Sequence, residues 1–429
     1  MQEPIKPPRV IGLAGAVLIN LNAVVGAGIF ALPALLYAGA GTLAPLIVLA
    51  YAVVVIPLLL IVAKLSTLFE ESGGAQLYAE RTYGSFAGFQ VGFALLGGNS
   101  ASRAANFHVL VSYLAALFPV FDVPAVRLAT ILALIGLLTT FSAIGTRRSM
   151  DALGIGTALK LGPILLICIA GLIANGVPTA VSLPQFSNIE SIALLLAYAY
   201  SGAAASTVAA GEVKDARRTV YRSILVNLVV IALFYAFVQW AYIAINPQQV
   251  NAARPLASAG EAVLGQWGVI AISVAAIFSV GTNQMSYFVA MPRVIFGMSE
   301  RGLLPTPFAR ISRRFLTPVN AIVAYGTIVA LLAISGTFKT LATLMVAMEA
   351  LILVTVIMTL PILWYQGKVA ASSLGMIGWG ALVAAALAFE FWLLGQVPAG
   401  AALSTVSVLL VGCVLYALMR RTRPRGVLG

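Results

Sequence analysis

The chain contains 429 residues, of which 61% are hydrophobic and only 9% are charged, and its mean hydropathy is +1.03. This composition excludes a soluble globular domain, in which about 25% of the residues are charged. The net charge of +12 does not indicate a nucleic-acid partner, because no soluble basic domain is present to bind one; attraction to anionic membrane lipids is expected instead.

Long apolar runs follow one another along the chain, and a membrane-spanning helix needs about 20 such residues. Twelve runs meet this requirement, at residues 11–38, 43–68, 86–118, 125–144, 152–174, 190–210, 220–245, 267–298, 318–335, 340–365, 374–395 and 400–419. The sequence therefore predicts an all-α, multi-pass membrane protein.

The basic residues are unevenly divided between the loops. Most of the 25 Lys and Arg residues lie on the side of the N-terminus when successive loops are assigned to alternate sides. Such residues mark the cytoplasmic side. We therefore expect a cell (inner) membrane protein with both termini in the cytoplasm, residues 1–10 forming the N-terminal segment and 420–429 a basic tail.

Glycines interrupt two of the predicted spans. Gly26 and Gly28 lie within the first span, and Gly202 lies within the sixth. Small residues in membrane helices often serve only for close packing of neighbouring helices. A pair of breaks at corresponding positions favours a binding site instead, because unwound backbone inside a membrane must face protein or a ligand.

The two breaks also divide the chain into similar parts. Residues 11–174 would form one set of five spans and residues 190–365 a second set, while 374–419 would add two spans. Five is an odd number, so the two sets would cross the membrane in opposite directions. This pattern is typical of inverted repeats, whose broken helices meet at the substrate site.

Four sequence motifs resemble the amino acid-polyamine-organocation transporter superfamily. They are VVGAGIFALP at 24–33, SGAAASTVAAGEVKDARRTV at 201–220, RVIFGMSERGLLP at 293–305 and TPVNA at 317–321. The chain is most similar to the amino acid permease and basic amino acid/polyamine antiporter branches. The resemblance implies twelve transmembrane helices in the leucine-transporter arrangement of five plus five inverted spans and two more, with helices 1 and 6 broken.

The resemblance and the paired breaks imply an α-amino acid as substrate. Freed amides at a helix N-terminus suit a carboxylate, and freed carbonyls suit an ammonium group. We expect the substrate carboxylate to bind the amides of Gly26, Ala27 and Gly28. Its ammonium group would bind the carbonyls around Tyr198, Ser201 and Gly202, and its side chain would contact Val24, Ala203 and Ala204.

Two further residues match substrate-facing positions in relatives. Asn99 in the third span matches a polar position, and a hydrogen bond between helices is the alternative. Tyr287 in the eighth span matches an aromatic wall position, and packing within the bundle is the alternative.

Lys160 is an ionisable residue within the fifth span. If this span begins near Asp151, nine residues of helix place Lys160 roughly 13 Å deep. In relatives, a lysine before the proline found here as Pro163 occupies the place where sodium-coupled transporters hold a cation. The resemblance implies sodium-independent transport, with Lys160 coupling to protons or acting as a fixed cation; a structural lysine bonded to carbonyls is the alternative.

Three more charged residues lie within spans. We expect Arg103 and Glu349 to pair as an external gate or brace, because an unpaired charge in a membrane is costly. Glu390 is expected to be a solvated carboxylate near the outer interface.

Ala203 and Ala204 stand where many relatives carry an aromatic residue and a glutamate, which argues against a guanidinium or polyamine cargo. The predicted function is therefore secondary active transport of neutral amino acids by proton symport or exchange, with an antiporter for basic amino acids or polyamines as the alternative and a channel or nutrient sensor as a more distant one. No sequence pattern indicates an enzyme, a metal site or a cofactor, and Cys168 and Cys413 lie within spans, so no disulfide is expected. A monomer or a homodimer is expected.

Overall fold

The computed structural model describes residues 9–69, 73–144, 150–178, 186–246, 251–369 and 373–422. These residues are mostly helical. The α-helices are α1 (Leu13–Val24), α2 (Gly28–Ala40), α3 (Ala44–Val54), α4 (Ile56–Leu68), α5 (Gly74–Tyr83), α6 (Ser85–Leu117), α7 (Pro124–Ile144), α8 (Met150–Asn175), α9 (Phe186–Tyr200), α10 (Ala216–Ile245), α11 (Pro255–Leu264), α12 (Gln266–Glu300), α13 (Val319–Ser335), α14 (Phe338–Tyr365), α15 (Ser373–Gly395) and α16 (Ala399–Thr422).

Each apolar run of the sequence contains α-helix, which confirms the all-α class. Among the described residues, seven helical segments are long and apolar enough to cross a membrane, and three shorter apolar helices accompany them. The first run is divided between α1 and α2, and the second between α3 and α4. The second division lies just before Pro57, which has no N–H to donate to the preceding turn.

The sixth run is helical only in its first part. Helix α9 ends at Tyr200, and short 3-10 turns at Ala205–Thr207 and Ala210–Glu212 lead to α10. The sequence therefore predicts the break correctly but places the end of this helix too late. Helix formation stops where Gly202 adopts a φ of +88°, which lies outside the helical region.

Two short helices, α5 and α11, lie in segments that the sequence leaves as loops. Each has ten residues, too few for the length that identifies a membrane span. Helix α5 packs against α6 and α14, and α11 packs against α2, α8 and α12. Tertiary packing rather than local propensity stabilises helices of this length.

Helix α6 lies at the centre of the bundle, in contact with α12, α13 and α14. Helix α1 packs against α8 and α10 and against the turn after α9. The segment before α1 is tied to that same region, because the amides of Val10 and Ile11 donate to the Glu212 carbonyl and the Lys214 amide donates to the Ile11 carbonyl. The two interrupted helices are thus held beside each other, with α6 and α12 facing them.

Candidate functional site

The first break separates α1 from α2 at residues 25–27. The Gly26 amide bonds to the Val24 carbonyl at 2.8 Å, a connection too short for a helical turn. Helix α2 then begins at Gly28, and the first amides of any helix have no carbonyl partner within it. These amides carry the positive end of the helix dipole, so the start of α2 can receive an anionic group.

Side chains from three helices hold the other side of this break. Lys160 of α8 donates to the Val25 carbonyl at 2.9 Å, and Tyr235 of α10 donates to the Val24 carbonyl at 3.1 Å. Asn283 of α12 donates to the Asn22 carbonyl at 3.0 Å. The carbonyls released at the end of α1 are therefore occupied by protein donors.

Lys160 is buried, with 2% of its surface exposed. Its bond to Val25 corresponds to the structural alternative for this residue, that of a lysine bonded to backbone. A role of Lys160 in proton coupling stays a prediction.

The second break begins after Tyr200, at Ser201 and Gly202. A Cβ on Gly202 would lie 3.1 Å from the Cβ of Ala23 and 3.2 Å from its carbonyl carbon. The positive φ and this close approach both require glycine here. Gly202 therefore allows the second break to lie directly against the end of α1.

A cavity lies between the two breaks. Its lining residues come from α1, α2, α6, α9, α12 and α14 and from the segments at the breaks, and they are Ala23, Val24, Gly26, Ala27, Gly28, Asn99, Ser102, Arg103, Asn106, Tyr198, Ser201, Gly202, Asn283, Tyr287 and Met345. Most of the residues that the sequence predicts for a substrate site thus meet around one space.

Two predicted substrate neighbours do not line this cavity. Ala203 is buried in the main hydrophobic core, with 6% of its surface exposed, and Ala204 packs against the same core. Neither residue is among those that line the cavity. Their contact with a substrate side chain stays a prediction.

The expected ion pair between Arg103 and Glu349 does not form in this structure. Arg103 donates to the Asn283 side chain and, at 2.9 Å, to Ser102, and its guanidinium lies 3.8 Å from the centre of the Tyr287 ring. Glu349 accepts a hydrogen bond from Ser201 at 3.1 Å. Each residue therefore stabilises a different side of the cavity.

Asn99 and Tyr287 both lie at the cavity, as expected. The Asn99 side chain donates to the Leu95 carbonyl of its own helix at 2.8 Å. The Tyr287 ring contacts the guanidinium of Arg103. Contact of either residue with a substrate stays a prediction.

Several polar lining residues were missed from the sequence. Ser102 and Asn106 lie on the same face of α6 as Asn99 and Arg103, because positions three and four residues apart are neighbours on a helix. Tyr198 donates to Asn106 at 2.5 Å, which connects this face to α9. The helical spacing of polar residues in α6 is a signal that could have identified them. Met345 carries no comparable signal.

A second, mostly apolar cavity lies on the other side of Gly28. It is lined by Gly28, Ile29, Leu32, Pro33, Leu36, Val48, Leu196, Ala199, Tyr235, Val238 and Gln239. Gly28 is common to both cavities, so apolar space adjoins the polar one at the start of α2.

Glu390 is not the solvated carboxylate that the sequence suggests. Only 1% of its surface is exposed, and its helix, α15, packs against α14 and α4. Among the residues that the structure describes, no three His, Cys, Asp or Glu side chains come together as a metal site would require.

Comparison with known proteins identifies the family. A family model described as amino acid permease matches residues 11–419. An uncharacterised transporter of Mycobacterium tuberculosis is 28% identical over 355 residues, which cover 79% of this chain and 78% of that protein. The serine/threonine exchanger SteT of Bacillus subtilis is 26% identical over 331 residues, covering 73% of each chain.

A plant protein is also similar. The vacuolar cationic amino acid transporter 4 of Arabidopsis thaliana is 25% identical over 295 residues, which cover 63% of this chain and 49% of that protein. Because the family model spans nearly the whole sequence, the chain belongs to the amino acid permease family of the amino acid-polyamine-organocation superfamily.

Proposed function

We propose that this protein is a secondary active transporter that carries neutral amino acids across the cell membrane by alternating access. The observation that supports this most directly is the cavity between the two breaks, which brings a helix N-terminus and a helix C-terminus to one space. An amino acid carries both an anionic and a cationic group at one carbon, so it matches both helix ends.

The binding geometry follows from the backbone. The substrate carboxylate would accept hydrogen bonds from the amides of Ala27 and Gly28, and from that of Gly26 once this amide exchanges its bond to the Val24 carbonyl for one to the substrate. Its ammonium would donate to the carbonyls around Tyr198, Ser201 and Gly202, at the negative end of α9. An apolar substrate side chain could extend past Gly28 toward the second cavity.

Arg103 supports a neutral rather than a basic substrate. Its guanidinium lines the cavity, and no acidic side chain is among the lining residues. A lysine, arginine or polyamine would bring a second positive charge next to it in surroundings of low dielectric constant, where like charges repel strongly. The exchange of serine and threonine named for the Bacillus relative is consistent with a neutral cargo.

An antiporter for basic amino acids or polyamines is the alternative. The name of the plant relative favours it, since that protein is a cationic amino acid transporter. The charge of Arg103 argues against it. A channel or a nutrient sensor is a more distant possibility, which saturable exchange would eliminate.

We propose twelve membrane spans for this transporter. Residues 11–174 and 190–365 would form two inverted sets of five, residues 374–419 would add two, and both termini would lie in the cytoplasm of a cell (inner) membrane protein, monomeric or homodimeric. The transport would be independent of sodium, as the resemblance implies for a lysine at this place in the fifth span; the bond of Lys160 to the Val25 carbonyl at the end of α1 supports this. Its driving force would be proton symport or exchange.

Two measurements test the substrate class. A thermal-shift screen of all amino acids and common polyamines on the purified protein should raise the melting temperature only with neutral amino acids, because bound ligand stabilises the folded state by mass action. Counterflow of the same labelled amino acid in proteoliposomes should be saturable. A shift with basic amino acids or polyamines alone would contradict the neutral assignment.

A matched pair of variants tests the role of Arg103. Arg103→Lys keeps the positive charge and should still discriminate against lysine and ornithine. Arg103→Gln removes the charge and should bring the affinities for neutral and basic amino acids closer together. Equal discrimination in the two variants would show that the charge does not select the substrate.

A further inference from the structure

Two glutamates that do not line the cavity lie on α14 and α15, two helices packed against each other near the second break. Glu349 of α14 is partly buried and accepts the hydrogen bond of Ser201 at 3.1 Å. Glu390 of α15 is 1% exposed, and its Oε2 atom has no hydrogen-bond partner. Burial of a carboxylate oxygen without a hydrogen-bond partner costs free energy unless the oxygen receives a proton or another ligand.

Aromatic contacts connect the two acids. The Tyr51 ring of α3 lies 5.2 Å from the ring of Tyr200 and 5.6 Å from the ring of Phe389. Tyr200 directly precedes Ser201, the donor to Glu349, and Phe389 directly precedes Glu390. Both acids therefore share one region beside α3.

Neither glutamate forms an ion pair with any of the described residues. Of the cations on helices packed against α14 and α15, Arg103 is bonded to Asn283 and Ser102, and Lys64 lies over Trp379, eleven residues before Glu390, or about 16 Å along α15.

The other described charged and titratable groups lie on α14 itself and on the helices packed against α14 and α15. Besides Tyr51 and Tyr200, they are Tyr78, Glu80, Arg81 and Tyr83 on α5, His108 and Tyr113 on α6, Glu190 and Tyr198 on α9, Lys339 and Tyr365 on α14, and Cys413, Tyr416 and Arg420 on α16. Of these, Glu80 bonds Arg301. Two like charges without a counter-ion cannot both be ionised in a desolvated site, so such a pair retains a proton.

We propose that Glu349 and Glu390 share one proton and form a proton-binding site that acts on the break after α9 through Ser201. This inference rests on the transport function proposed above and adds a second site to the one predicted at Lys160. A proton from solution would reach Glu349 past Ser201, which lines the cavity. As the second proton of the pair, it would bond to a free carboxylate oxygen and change the charge of the pair from −1 to zero, and its release on the other side would restore the single shared proton.

Ser201 connects the proton to the substrate. Its hydroxyl donates to Glu349, while the backbone around it is proposed to bind the substrate ammonium. A hydrogen bond to an ionised carboxylate is about twice as strong as one between neutral groups. Loading the pair with a second proton would therefore loosen the hold of Glu349 on Ser201 and change the shape of the break.

Substitution of Glu390 tests the proton-binding site independently of the transport function. We expect Glu390→Gln in proteoliposomes to retain most of the counterflow of the parent, because exchange needs no net proton movement. The same variant should lose the accumulation driven by an inward proton gradient, down to the level measured without a gradient. Glu349→Gln should lose it as well. Glu261→Gln, which makes the same change at an exposed residue of α11, should behave as the parent.

The outcomes are distinguishable. Gradient-driven accumulation by Glu390→Gln equal to that of the parent would overturn the proton site and leave the transport function intact. Absence of counterflow in the parent would instead remove the transport function itself.

A measurement on the parent protein tests the shared proton even if the variants fail to fold. A hydrophobic carbodiimide reacts with protonated carboxyl groups in apolar surroundings, and mass spectrometry locates the adduct. We expect modification of Glu349 or Glu390 that decreases as the pH rises. If neither residue were modified at acidic pH, the shared proton would be excluded.

Discussion

Gly202 is the residue on which the second break depends most directly. Its φ is +88°, and an added Cβ would lie 3.1 Å from the Cβ of Ala23. A residue with a side chain costs roughly 1–2 kcal/mol in a left-handed conformation, before the contact with Ala23 is counted. We expect Gly202→Ala to lower the melting temperature in detergent and to abolish counterflow.

Gly26→Ala provides the matched control. A Cβ at Gly26 would lie 3.9 Å from the Asn283 side chain, an ordinary van der Waals distance, and would project toward the cavity. This variant should keep the melting temperature of the parent and weaken substrate binding, because the methyl group occupies space for the carboxylate. Equal destabilisation by the two substitutions would contradict the assigned roles.

Lys160 has a distinct role on the other side of the first break. Its removal leaves the fully buried Val25 carbonyl without its donor, at a cost of about 1–3 kcal/mol. We expect Lys160→Ala to lower stability and to flatten the pH dependence of uptake in proteoliposomes. Lys160→Gln keeps a donor but no charge, so it should recover stability without recovering the pH response. Uptake by Lys160→Ala with the full pH dependence of the parent would exclude proton coupling through this residue.

At the scale of the element, the sequence predicts the helices that are long or that contain glycine. Each apolar run contains α-helix, because runs of this length and composition favour it, and the breaks at Gly26 and Gly202 follow from the conformational freedom of glycine. The short helices α5 and α11 could not be predicted, since their stability comes from packing against distant parts of the chain.

The candidate site was predictable to the same extent. Backbone positions at the breaks were found because a local signal marks them. The burial of a side chain could not be predicted in the same way, as Ala203 and Glu390 illustrate. Both are buried, and their burial depends on how other helices pack against their own segment. The partners of Arg103 lie on α6 and α12, and no sequence pattern relates these helices.

The end of α1, the turn after α9 and the start of α10 form one polar cluster. Asn20 accepts a bond from the Ser206 amide at 2.7 Å and donates to the Ser223 side chain at 3.3 Å. All three residues are fully buried. The cluster therefore fixes three elements to one another at the base of the cavity.

We expect Asn20→Ala to destabilise the protein by about 1–3 kcal/mol, because the buried Ser206 amide loses its acceptor. Thermal unfolding in detergent measures the effect. Asn175→Ala is the control, since Asn175 is exposed and its side chain bonds only within α8. Melting temperatures lowered equally in both variants would mean that the cluster does not hold the three elements together.

At the scale of the whole molecule, the proposed topology follows from the charges of the connecting segments. The segment between α9 and α10 and the first turn of α10 carry Lys214, Arg217 and Arg218, whereas the described part of the segment between α10 and α11 carries only Arg254. Basic loops remain on the cytoplasmic side. One passage through the membrane by α10, which is 30 residues long, separates the two segments.

Cysteine labelling in intact cells tests this arrangement. Lys214 and Ala252 are both exposed and lie at opposite ends of α10. We expect Ala252→Cys to react with a membrane-impermeant maleimide in intact cells, and Lys214→Cys to react only after permeabilisation. The parent chain is the control, because Cys168 is buried and Cys413 is half-buried within an apolar helix. Labelling of Lys214→Cys in intact cells, with Ala252→Cys protected, would invert the orientation and place the basic segments outside, against the charge distribution that the topology rests on.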